Sequence, residues 1–70
     1  MNGYNPYNAA RSLLGRTVSR KNLRAICGNY DIEADEGATY KELLDKIILK
    51  RAKDGDKDAA EIVKEYGLHE

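Results

Sequence analysis

The chain has 70 residues, one cysteine, and twelve acidic against twelve basic side chains, for a formal net charge of zero. That length holds a single domain, residues 1–70, with a small core, because a chain of about 60 residues buries only about 60% of the surface it exposes when unfolded. One thiol excludes an intrachain disulfide, no stretch approaches the roughly 20 apolar residues that span a bilayer, and the first residues lack the apolar centre of a signal peptide, so a cytoplasmic protein with no membrane partner is expected.

Residues 1–5 are expected to be loose. Asn5 followed by Pro6 is a helix start, since the N–H that proline lacks would have no partner in the first turn. The spacing of Tyr7, Ala10, Leu13 and Leu14 predicts a short helix from Pro6 to Leu14 with one apolar face, and Gly15 can take the left-handed conformation that ends it.

Ser19, with Thr17 as competitor, caps a second helix whose stripe is Leu23, Ile26, Cys27 and Tyr30, at i, i+3, i+4 and i+7. At 100° per residue, Arg20, Lys21 and Arg24 project along one flank of that stripe. The chain is expected to leave the helix near Tyr30. Asp31 to Ala38 then reads as an extended connection, with Ile32 turned inward as its anchor, Gly37 providing the bend, and Glu33, Asp35 and Glu36 solvated.

Thr39 and Glu42 have capping-box spacing, each side chain satisfying an unpaired backbone N–H of the other. Tyr40, Leu43, Leu44, Ile47 and Ile48 follow as the strongest apolar stripe, which marks the core helix. Glu42 and Lys46 are expected to pair at i, i+4, worth a few tenths of a kcal/mol. The run Lys53–Asp58 is a turn, and Ala59, Ile62, Val63 and Tyr66 predict a fourth helix from about Lys57 to Tyr66. Gly67 ends it, with Leu68 folding back. The expected fold is all-α: a compact domain of three to four short helices around residues 17–51.

Asp54, Asp56, Asp58 and Glu65 stand at positions 1, 3, 5 and 12 of a calcium-binding loop, but Ala59 holds the place that needs glycine. An acidic first turn favoured by the helix dipole is the simpler reading. His69 stands next to the last residue, and Cys27 falls on an apolar stripe as a small buried hydrophobe. No residue set meets the requirements of a catalytic site, so no enzyme, metal or cofactor is expected. Four of the five tyrosines, Tyr7, Tyr30, Tyr40 and Tyr66, fit apolar stripes, which leaves Tyr4 alone free to stack on a base.

The zero net charge hides an uneven distribution. Residues 1–30 carry Arg11, Arg16, Arg20, Lys21 and Arg24 with no acid, whereas residues 31–70 carry seven basic against twelve acidic side chains. Such asymmetry points to a nucleic-acid partner or to compensation within the molecule. Arg16, Arg20, Lys21 and Arg24 stand near a helix start, where backbone N–H groups and cations together suit a phosphate.

The stretch SRKNLRAICGNYDIEADEGATYKELLDKI resembles the helix-extended loop-helix modules, the group of SAP, LEM and Rho N-terminal domains. The resemblance rests on the capped Leu23-x-x-Ile26 helix, the single aliphatic Ile32 in the loop, and Thr39-x-x-Glu42-Leu43-Leu44-x-x-Ile47. It implies two roughly parallel helices joined by the loop, and binding rather than catalysis. By position it implies that Arg20, Lys21 and Arg24, with Lys41 on the next helix, meet a DNA backbone. Glu33, Asp35 and Glu36 depart from the pattern, because a loop facing DNA is expected to be neutral or basic. The expected function is a small monomeric DNA-binding module that contacts phosphates through Arg16, Arg20, Lys21, Arg24 and Lys41. The alternative is a protein-interaction module, of a size that suits a phage-encoded regulator, acting on a host nucleic-acid-handling protein through the acidic loop (Glu33, Asp35, Glu36) and the C-terminal helix.

Overall fold

A computed structural model describes residues 5–68; Tyr4 and His69, on which the sequence carried expectations, lie outside them. Four helices follow in order: α1 (Pro6–Leu14), α2 (Arg20–Asn29), α3 (Tyr40–Lys53) and α4 (Lys57–Tyr66). Each begins where a side chain can accept from an unpaired N–H. Asn5 accepts from the amides of Tyr7 and Asn8, Ser19 from Asn22, and Asp56 from Ala59, while Thr39 and Glu42 form the reciprocal capping box. Asn5 is therefore fixed as the cap of α1 rather than loose.

The helix ends are equally local. Gly15, Gly55 and Gly67 take positive φ just past α1, α3 and α4. After α2 the same left-handed position is filled by Asp31, at φ 58°, a residue that tolerates it better than most through its short polar side chain. The amide of Ile32 reaches back to the Cys27 carbonyl at 2.8 Å, which directs Ile32 inward against the core. At Gly37, the bend is a turn closed by the Ala38 amide on the Asp35 carbonyl at 3.0 Å, without positive φ.

α3 is the centre. It packs against each of the other three helices, α1 also touches α4, and α2 meets neither α1 nor α4. Leu43, Leu44, Ile47 and Ile48 on α3 are fully buried, joined by Leu23 and Cys27 of α2, Ala10 of α1 and Ala59 of α4. Val18 and Ala38, from the segments before α2 and α3, complete this core.

Two tyrosines depart from the expected stripes. Tyr7 is 62% exposed and Tyr66 38% exposed. Tyr7 instead lays its ring on that of Tyr40, with centroids 4.3 Å apart. The Tyr40 hydroxyl donates a hydrogen bond to the Val18 carbonyl at 2.6 Å, so the connection between α1 and α2 is tied to the first turn of α3.

The expected Glu42–Lys46 pair gives way to other partners. Glu42 Oε1 accepts from the Thr39 amide, Lys46 donates to the Glu33 carbonyl, and the ion pair of this turn is Lys41–Asp45 at 2.6 Å. At the far end of α3, Arg51 donates through Nε and Nη2 to Asp56 Oδ2, at 2.8 and 2.7 Å. The same carboxylate caps α4 through Oδ1. One side chain thus ties the end of α3 to the start of α4 across a short turn.

Truncating Ile47 or Leu44 to Ala should destabilise the domain by about 2 to 5 kcal/mol, read from chemical denaturation, because neither site has solvent to refill it. The caps also set a pH dependence. Hydrogen bonding from the Ala59 amide and pairing with Arg51 hold the Asp56 carboxyl below its usual range, and the Thr39 hydrogen bonds do the same for Glu42. Both groups are more acidic folded than unfolded, so the unfolded chain takes up more protons as pH falls. The thermal midpoint should be level above about pH 5 and fall below about pH 4. Asp56→Asn, which removes one of these two titrations, should make that fall shallower and leave the part due to Glu42.

Candidate interaction surface

The segment 31–38 has no regular structure, so its carbonyls need partners from outside a helix or sheet. Cationic side chains supply them. Arg20 donates through Nε to the Ala38 carbonyl and through Nη2 to the Glu36 carbonyl, both at 2.8 Å. Arg24, one turn further along α2, donates from Nη1 to the carbonyls of Asp35 at 2.9 Å and Glu36 at 3.4 Å. From the other side, Lys46 of α3 donates to the Glu33 carbonyl at 3.1 Å.

The expected phosphate-facing group is thereby divided. Arg20, although exposed, and the half-buried Arg24 are engaged by the loop's carbonyls, whereas the exposed Arg16 and Lys21 make none of these bonds. Lys41 is exposed on the first turn of α3 and paired with Asp45.

The loop's carboxylates take no part in these bonds. Glu33, Asp35 and Glu36 are all exposed, and none forms an ion pair among the described residues. The result is an acidic surface on a backbone held at four carbonyls. Asp31 adds a further exposed carboxylate at the start of the loop.

The remaining chemistry-bearing side chains have structural surroundings. Cys27 is buried, with Sγ 3.8 Å from the Leu43 carbonyl, and burial pushes its thiol pKa up against the opposing effect of Lys46 and Arg24. Such a thiol is a poor nucleophile. Asp54 pairs with Lys50 at 3.5 Å and Asp56 with Arg51. Among the described residues no three His, Cys, Asp or Glu groups are placed to hold a metal, and no helix is long and apolar enough to cross a membrane.

The part played by the arginines and Lys46 in holding the loop was missed at the sequence level. The available signal was the i, i+4 spacing of Arg20 and Arg24, which puts both on one helix face, next to a loop obliged to find donors. No protein-family model, no curated protein and no solved structure matches the chain.

If Arg20 acts by bridging two carbonyls, Lys cannot replace it, since one ammonium on a flexible stem lacks the planar fork. Arg20→Lys should therefore lose most of what Arg20→Ala loses, about 1 to 2 kcal/mol for hydrogen bonds from a charged donor at a partly exposed site. Both variants should speed amide hydrogen exchange at Ala38. Full stability in Arg20→Lys would mean that charge alone matters there.

Proposed function

We propose that the domain is a non-enzymatic protein-interaction module that presents the 31–38 loop, with Glu33, Asp35 and Glu36, to a cationic partner. The supporting observation is the direction of the arginine hydrogen bonds: they take the loop's carbonyls and leave its carboxylates outward. A loop already held in shape loses little conformational freedom on binding, so more of its contact energy appears as affinity. Proteins that handle nucleic acids display cationic surfaces for phosphate, and an outward row of carboxylates has the charge to meet one. A protein of that class is the partner this reading takes.

A second reading, contact with a DNA backbone through the basic flank, is favoured by Arg16 and Lys21 alone, both exposed and outside the loop's hydrogen bonds. Salt distinguishes the two. Each phosphate contact contributes a slope of about −0.9 in log K against log salt, so two available cations give roughly −2, and the full set of Arg16, Arg20, Lys21, Arg24 and Lys41 roughly −4.5.

Affinity capture from nuclease-treated host extract should retain a partner with the native domain and lose it with Glu33→Gln, Asp35→Asn and Glu36→Gln combined. Those amides keep size and hydrogen bonding while removing three charges. Retention that depends on intact nucleic acid, with a DNA salt slope near −4.5, would replace the protein-interaction reading with the DNA one.

A further inference from the structure

Among the described residues every Leu, Ile and Val belongs to the core or packs against it, with one exception, Leu49. It stands one position past the buried stripe of α3 and, with Ile32, lines a cavity of about 560 Å³ between the outer face of that helix and the start of the loop. The lining is more apolar than polar, because lysine stems add their methylenes to the two aliphatic side chains. Its charged groups are sorted by sign. Glu42 and Asp45 come before Leu49 on α3, while Lys50 and Lys53 come after it. Lys46, between them, is held on the Glu33 carbonyl.

This pattern is complementary to itself. Four residues of helix turn about 400° and rise about 6 Å, so Asp45 lies about 40° to one side of Leu49 and Lys53 about 40° to the other, equally far along the axis. A two-fold axis normal to α3 at Leu49 exchanges the two positions: it lays the helices of two copies antiparallel and sets each Lys53 over the other's Asp45. Any residue's neighbours at i−4 and i+4 exchange in this way. Here they carry opposite charges around a leucine that its own chain leaves uncovered. Lys53 forms no ion pair among the described residues, and Asp45 engages Lys41 at a partly exposed site. The incoming ammonium therefore breaks no existing pair of its own.

We propose that this face of α3 docks a second copy of the chain, in place of the monomer expected from the sequence, as an antiparallel two-fold dimer. Each Leu49 is covered by its symmetry mate and by the other copy's Ile32, and the same patch serves both subunits, as an isologous interface requires. α3 has 14 residues, about 21 Å of helix, so the contact falls at the low end of specific interfaces and the dimer is a weak one. Asp35 and Glu36 take no part in lining the cavity, so the dimer does not depend on the loop reading.

Sedimentation equilibrium of the full chain over roughly 10 μM to 1 mM, a range that covers weak association, should show its mass rising from 7.9 kDa toward twice that value. Over the same dilution series, amide shifts should concentrate at Ile32, Asp45, Lys46, Leu49 and Lys53. Leu49→Ala, outside the core, should weaken association at least tenfold with native circular dichroism. Lys53→Glu and Asp45→Lys should each do the same, because each sets like charges together across the axis. Mixing those two variants in equal amounts should restore association, since one chain then offers two carboxylates and the other two ammonium groups. A chain that stays monomeric at 1 mM, Leu49→Ala that associates as the native chain does, or a mixture no better than its separate components would each overturn the proposal.

Discussion

The apolar face of α3 is the constraint on which the rest of the structure depends. Leu43, Leu44, Ile47 and Ile48 are without solvent exposure, and α3 is the helix that touches all the others. In a chain this short, no second core can compensate if that face is left uncovered. α2 and α4 cover it and α1 packs beside α4. The connections are recruited as well, with Val18 and Ala38 buried and Ile32 packed in from the loop. This explains why the loop, although irregular, is firmly placed: its first residues and its last are parts of the core.

Placing a loop against a core creates a polar problem at its backbone. A carbonyl pressed near the protein without a donor loses its hydration for nothing in return, at a cost of about 1 to 3 kcal/mol. Arg20 removes that cost at the partly buried carbonyl of Ala38, while at the exposed carbonyls of Glu33, Asp35 and Glu36 the bonds from Lys46, Arg24 and Arg20 tie the loop in place. A guanidinium suits the task because its donors lie in a fixed plane and reach two carbonyls at once. The same bonds set how the loop appears from outside. A carbonyl accepts a hydrogen bond without neutralising its donor, and the acidic side chains, released from pairing, face solvent.

What was legible in the sequence follows from distance along the chain. Helix caps depend on residues three or four apart, so Asn5, Ser19, Thr39 with Glu42, and the glycines at 15 and 67 mark their helices correctly. The stripes of α2 and α3 are equally local, and Ile32 identifies itself as the single large aliphatic of its segment. The failures lie at longer range or among competing partners. Glu42 and Lys46 have the right spacing, yet Thr39 and the Glu33 carbonyl offer each of them something better. Tyr7 lies at the right phase to be buried, but the ring of Tyr40 gives it a stacking surface at the edge instead. The contacts of Arg20 cross 16 and 18 residues, and nothing in a periodic pattern reports which loop a helix will face.

The charge asymmetry of the sequence takes a definite spatial form. Two kinds of internal bond handle charge differently. The ion pairs Lys41–Asp45, Lys50–Asp54 and Arg51–Asp56 consume one acid for each base. The bonds from Arg20, Arg24 and Lys46 to carbonyls engage bases and consume no acid. Acids and bases are both left outside these ion pairs, and Glu33, Asp35 and Glu36 stand together on the loop beside the still-charged Arg20, Arg24 and Lys46. A domain with zero net charge can in this way present a row of carboxylates at short range while exerting little long-range field, since screening removes the distant sum before it removes the near contact. On the proposed reading, a cationic partner is selected at contact, by fit to the loop, rather than by attraction from afar.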